Sequence, residues 1–201
     1  NVPSHVTQIV VSSVRSVLGN IASAVFGHPC RALKMTGITG TNGKTSTAYI
    51  LGEILKANGA TVLVVGTLTG ERTTPEAIDL QHQLREFADA GGTHVVMEVS
   101  SHGLVMGRVN GILFDVAIFT NLGRDHLDFH GTYENYFATK AQLFTPALAK
   151  HAIINAEDKY GQLLIDVCEV GVTTFGRDGA RDIRVDVGSV DFEWNSLAVH
   201  L

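Results

Sequence analysis

The chain has 201 residues, 45% of them hydrophobic and 17% charged, with a formal net charge of −5. That is enough apolar material for one well-buried core and part of another, while the acidic balance and the absence of a long Lys/Arg run exclude the electrostatic footprint of a nucleic-acid or anionic-membrane binder. Cys30 and Cys168 form neither a CxxC pair nor a metal-ligand spacing, so no disulfide framework or zinc site is expected, and a reducing cytoplasm fits best.

No apolar run approaches the roughly 20 residues of a membrane helix, and no signal-peptide succession is present. Val6, Ile9, Val10, Val14, Val17, Leu18, Ile21, Ala24 and Val25 recur at helical spacing, which predicts an amphipathic packing helix ending near Gly27 and Pro29. From Lys34 the pattern changes to short apolar runs separated by glycines. Strands are predicted at 33–38, 60–66, 93–99, 115–121, 151–155 and 170–176, with helices at about 45–58, 76–90, 132–148 and 158–168. Such alternation predicts an α/β fold of P-loop type, a mostly parallel sheet flanked by helices and wound by right-handed crossovers. Thr74 before Pro75 reads as a helix start. The tail "RDIRVDVGSVDFEWNSLAVHL" alternates polar and apolar residues and predicts one or two antiparallel strands at the C-terminal end. Asn1 at the first position and an ending inside a strand-like run give the expectation of a piece of a longer protein.

The chemistry concentrates in "GITGTNGKTST", residues 37–47, between a predicted strand and a predicted helix. In that context glycines let backbone N–H groups turn toward a phosphate, and the helix N-terminus adds a positive dipole end. Lys44 can reach β/γ-phosphates and Thr45 can ligate Mg²⁺. The spacing is not the strict GxxxxGK[ST]: Ile38 stands where its first glycine belongs, and the glycine is Gly40. In "VVMEVSSHGL", Glu98 ends a buried strand, where a carboxylate can hold a nucleotide-bound Mg²⁺. In "FTNLGRDHLDFHG", His126 and His130 have the spacing of a zinc-protease helix, but Leu127 stands where that pattern needs its glutamate. On the residues alone His126 is either a structural histidine or a metal ligand. Lys140 in "YFATKAQLF" reads as a surface lysine with its stem on apolar neighbours.

Taken together, "GTNGKTST", "TTP", "EVSSHGL", "FTNLGRDHLDFHG", "Y..TK..LF" and "AIIN" resemble the Mur ligases from about residue 32 to 176. The nearest branch is the type that adds the third residue of the cell-wall peptide (MurE type). The resemblance implies an ATP-dependent amide ligase acting on UDP-N-acetylmuramoyl-L-alanyl-D-glutamate through an acyl phosphate, with a diamino acid as the amine. It implies that Gly40, Thr41, Asn42, Gly43, Lys44, Thr45 and Ser46 cradle ATP, that Thr45 and Glu98 hold a first Mg²⁺, and that His126 and Lys140 hold a second. Lys140 would carry a carbamate formed from CO₂, and Lys44, His126 and Lys140 would be the catalytic residues. Thr73, Thr74, Ser100 and Arg108 would meet the muramoyl substrate, and Met106 replaces a glutamine of the family pattern. Residues 1–31 would close an N-terminal UDP-binding domain and 32–201 would be an incomplete central ATP-binding domain, with the C-terminal ligase domain absent. Two alternatives remain: a Mg-ATP-binding fragment without catalysis, and a folylpolyglutamate synthase-like ligase.

Overall fold

Hydrophobic alternation in the short strands decides the architecture. The computed structural model describes residues 6–176, with 180–186, 189–194 and 197–200 described as backbone strands. The first half contains α1 (Val14–Val25), β1 (Lys34–Thr39), α2 (Lys44–Ala57), β2 (Val62–Val65), α3 (Ala77–Asp89), β3 (His94–Glu98) and α4 (Ser101–Val105). The second contains β4 (Val116–Phe119), α5 (Leu127–His130), α6 (Tyr133–Ala141), β5 (His151–Asn155), α7 (Lys159–Val167) and β6 (Gly171–Phe175). These are followed by β7 (Ala180–Asp186), β8 (Ser189–Trp194) and β9 (Leu197–His200).

The first six strands form one parallel sheet in the order β2-β3-β1-β4-β5-β6, as the strand-helix alternation predicts. The tail forms a three-stranded antiparallel sheet, one strand more than its pattern suggests. Side chains alternate across the main sheet. Ile38, Val96 and Ile118 face α2, packing on Ala48, Leu51 and Leu55. Met35, Val95, Met97, Ala117 and Phe119 face the other way, onto Leu80 and Leu84 of α3, Leu104 of α4, Tyr136 of α6 and Leu164 of α7. Both faces are therefore covered, as a parallel sheet requires.

Three boundaries differ from expectation. The first helix begins only at Val14, where Ser13 accepts an N-cap bond from Ser16 N–H. Ile9 and Val10, 82% and 92% exposed, lie before it: helical spacing continued there with nothing to pack against. The third helix starts at Ala77 with Glu76 as N-cap, because the Thr74 hydroxyl is engaged by Glu98 O and Ser100. The helix expected to 148 ends at Ala141 and tightens into a 3-10 turn over Gln142–Phe144; Thr145, ahead of Pro146, is extended. α1, expected to end a preceding domain, lies with Gly19 directly on the backbone of Asn110, whose side chain donates to Ser16 O at 3.0 Å.

Candidate functional site

The loop between β1 and α2 is shaped for backbone donors. Gly40 has φ 146°, and a Cβ there would collide with the Thr120 hydroxyl; Gly43, the N-cap of α2, has φ 83°. The N-termini of α1, α4, α6 and α7 are capped by Ser13, Ser100, Thr132 and Asp158, whereas α2, like α3 and α5, has no side-chain cap. Its first-turn N–H groups are left to an outside acceptor, which fits an anion. The loop is held from the β4 side. Thr41 N–H donates to Asn121 O at 2.9 Å, Asn42 N–H to Asn121 Oδ1 at 3.0 Å, and the Thr120 hydroxyl to Asn42 O at 2.7 Å. Ile38, fully buried against the α2 face, accounts for the missing glycine of the strict motif: that position belongs to the core, not to the loop.

Strand alternation puts Glu98 on the α2 side, paired in register with Ile38. It is 1% exposed, and its carboxylate accepts the Thr45 hydroxyl at 2.9 Å and the Thr67 N–H at 2.9 Å. A buried carboxylate bonded to the threonine after the loop lysine can exchange one hydroxyl contact for a cation shared with that hydroxyl. Thr67 has no sequence motif of its own and escapes a reading by residue type.

Two lysines meet on one carbonyl. Lys44 Nζ donates to Gly40 O and Thr41 O, each at 2.9 Å, and Lys140 Nζ donates to the same Gly40 O at 2.9 Å, with Thr39 Oγ1 at 3.5 Å. The residue-only expectation of a surface lysine at 140 is therefore wrong. The side chain is 1% exposed because α6 turns this face toward the end of β1. Burial, then the like charge of Lys44, brings Lys140 down to about 7, against the opposing pull of Asp125. Burial also lowers Lys44, with Glu98 and Asp125 opposing.

His126 has a left-handed backbone, φ 52°, and a half-exposed ring 3.4 Å from Asp125. It lies edge-on to His102, centroids 5.0 Å apart, and 6.3 Å from Tyr136. His130 is instead buried, with Nε2 2.9 Å from the Ser101 hydroxyl. The two histidines thus differ: His130 is buried on Ser101, whereas the His126 ring is half exposed beside Asp125 and His102. Among the described residues no group of three His, Cys, Asp or Glu side chains is placed to hold a metal. Glu98 and the Thr45 hydroxyl adjoin each other, so a cation between them would need further oxygens from outside these two side chains.

The expected substrate residues adjoin this centre. The Thr73 hydroxyl is 3.0 Å from that of Thr67, and Thr74 is 3.1 Å from Ser100 Oγ. Thr74 is fully buried, so it supports Ser100 from beneath. Arg108 donates to Thr74 O at 3.1 Å and pairs with Glu76 at 2.8 Å, an acceptor not suggested by the motif. Met106, half-buried, ends α4.

Residues 38–200 match the model of the Mur ligase middle domain. The chain belongs to the Mur ligase family. A UDP-N-acetylmuramoyl-L-alanyl-D-glutamate–2,6-diaminopimelate ligase from Streptomyces avermitilis is 43% identical over 197 residues, covering 91% of the chain and 39% of the relative. The enzyme of the same name from Aquifex aeolicus is 41% identical over 207 residues, covering 98% of the chain and 42% of the relative. The chain thus spans about two fifths of the curated relatives it matches. A solved structure with that name superposes with a TM-score of 0.79 at 28% identity, covering 97% of the chain and 46% of its own. The Escherichia coli FolC structure, at 21% identity, a TM-score of 0.68 and coverage of 97% of this Mur ligase chain and 54% of its own, shares the fold. Among the described residues no helix is long and apolar enough to cross a membrane.

Proposed function

We propose that this chain is the ATP-binding part of a longer ligase that joins a diamino acid to UDP-N-acetylmuramoyl-L-alanyl-D-glutamate. The supporting observation is convergence: Lys44 and Lys140 share the Gly40 carbonyl, and Glu98 bonds Thr45 beside it. The relatives are named as diaminopimelate ligases, which favours diaminopimelate as the amine. Residues 1–31 would lead in from a uridine-binding domain, with α1 as the junction, and a further domain would complete the nucleotide site.

In this reading the loop from Gly40 to Ser46 and the uncapped α2 N-terminus bind the triphosphate, and Lys44 turns from the loop carbonyls to the β/γ-phosphates. The substrate carboxylate attacks the γ-phosphorus, ADP leaves, and an acyl phosphate forms. The amine then attacks the acyl carbon, phosphate leaves, and the amine proton passes to solvent. Two anions must approach each other in line, so positioned positive charge is the main catalytic need. Thr45 and Glu98 would hold one Mg²⁺, and His126 would hold a second together with the anionic oxygens of Lys140 as its carbamate. The metal's chemistry is to neutralise charge on the phosphate oxygens. Thr73, Ser100 and Arg108 would orient the muramoyl peptide.

The full-length ligase is expected to consume ATP only when both the UDP-muramoyl dipeptide and a diamino acid are supplied. Turnover indifferent to the dipeptide in a coupled ADP assay would reject the reading. A second test uses Gly66, where an added Cβ would collide with the Glu98 carboxylate. Because Thr45 and Thr67 hold that carboxylate in place, Gly66→Ala is expected to weaken Mg-ADP binding about tenfold in calorimetry, with a smaller loss for ADP in EDTA.

A further inference from the structure

Tyr136 is 1% exposed and lies one helical turn before Lys140, so the two share a face of α6. Its ring lies 4.7 Å from Lys140 Nζ and packs on His130, centroids 4.8 Å apart. Its hydroxyl reaches out of the helix to Thr41 Oγ1, 3.2 Å away, and that oxygen accepts the Gly123 N–H at 2.9 Å. One phenol therefore joins the phosphate loop, the segment after β4 and the helix carrying Lys140. A ring that only filled space would need no hydroxyl, and a buried phenol left unpaired is unfavourable.

We infer that Tyr136 is a positioning residue whose hydroxyl, through Thr41, sets the spacing between the phosphate loop and the face of α6 that bears Lys140. The inference rests on the proposed function. Thr41 is the point where such a tether acts. Its N–H is already fixed to Asn121 O, so the phenol adds a hold on its side chain just before the exposed residues Asn42 and Gly43. In phosphoryl transfer a shift of about 1 Å costs on the order of a hundredfold in rate, so a tether between donor and acceptor sides affects kcat more than binding.

The test is a double-mutant cycle in the full-length ligase. Tyr136→Phe keeps the ring and removes only the phenol's bond; Thr41→Val keeps the shape but also removes the acceptor of the Gly123 N–H. Tyr136→Phe is expected to lower kcat about tenfold, with KM for the muramoyl peptide within about twofold and a melting temperature lowered by only a few degrees, and Thr41→Val, which also frees the Gly123 N–H, to lose at least as much. The double variant is expected to lose no more than Thr41→Val alone, not the product of the two losses, and Thr41→Ser to keep most of the rate lost in Thr41→Val. A Tyr136→Phe enzyme at the unvaried rate, additive losses, or equal losses in Thr41→Ser and Thr41→Val would overturn the inference. If Tyr136→Phe is insoluble, Tyr136→Leu takes its place in the cycle with Thr41→Val, judged by whether the two losses fall short of adding. Dipeptide-independent ATP consumption by the unvaried ligase would overturn the proposed function and this inference with it. Dipeptide-dependent turnover with an indifferent Tyr136→Phe would overturn the inference alone.

Discussion

Lys140→Ala in the full-length ligase is expected to lower turnover about 10³-fold, the scale on which removal of a positioned electrostatic group acts. The physical reason lies in the surroundings of the amine. It is buried, it shares the Gly40 carbonyl with a second cation, and among the described residues no carboxylate bonds it. Burial and the neighbouring cation disfavour the ammonium, leaving a substantial neutral fraction near neutral pH. A neutral amine adds CO₂ and releases a proton, which exchanges a repelled cation for an anion suited to a metal. Turnover is therefore expected to fall in CO₂-depleted buffer and recover with bicarbonate, while Lys140→Ala responds to neither. Equal bicarbonate responses in the two proteins would reject the carbamate.

The same amine makes stability depend on pH in a defined direction. With a folded value of about 7 against the ordinary lysine value of 10.5, the folded chain binds fewer protons than the unfolded chain between these limits. In CO₂-free buffer Lys140 therefore opposes folding most fully below pH 7, and this opposition is relieved as pH rises toward 10.5, with a slope of at most about 1.4 kcal/mol per pH unit. Lys140→Met is expected to remove that part of the slope in urea titrations. An unchanged slope would place the titration elsewhere.

Lys44→Met is the second large effect, also expected near 10³-fold in kcat, with a smaller rise in the KM for ATP. The ammonium follows Gly43 at the start of α2 and donates to two loop carbonyls, so among the described residues it can move to phosphate oxygens without breaking an ion pair. Lys44→Arg is not expected to restore the rate, because a planar guanidinium does not fit where a compact ammonium meets a carbonyl shared with Lys140. Loss of Lys44 also removes the like charge that depresses Lys140, so carbamate occupancy at a fixed pH is expected to fall in Lys44→Met. Wild-type kcat in Lys44→Met would exclude this loop from phosphoryl transfer.

Local signals carried the parts of the fold that local chemistry dictates. Val95, Val96 and Met97 announce a buried strand, and Gly40, Gly43 and Lys44 between a strand and a helix announce an anion loop, because these features follow from nearest neighbours in the chain. The four- and five-residue helices α5 and α4 carry no periodic signal long enough to read. Ile9 and Val10 suggested helix where the chain runs exposed, since spacing alone does not reveal whether a partner surface exists. Within the site, the environment of Lys140 depends on Gly40, 100 positions away, and no helical pattern reports that contact. Tyr136 could have been noticed from its place four residues before Lys140, which puts both on one face; its bond to Thr41 could not. The pairing of Arg108 with Glu76 was equally hidden, because the motif identifies the cation and not its neighbour.

The most direct test of the account is a crystal of this chain grown with ADP and Mn²⁺ in place of Mg²⁺, located by anomalous scattering. Phosphates are expected against the N–H groups of Gly43 to Ser46, with a metal peak about 2.1 Å from the Thr45 hydroxyl oxygen or joined to Glu98 through a bound water. A metal or nucleotide found away from Thr45 and Glu98, with Lys44 still on Gly40 and Thr41, would contradict it.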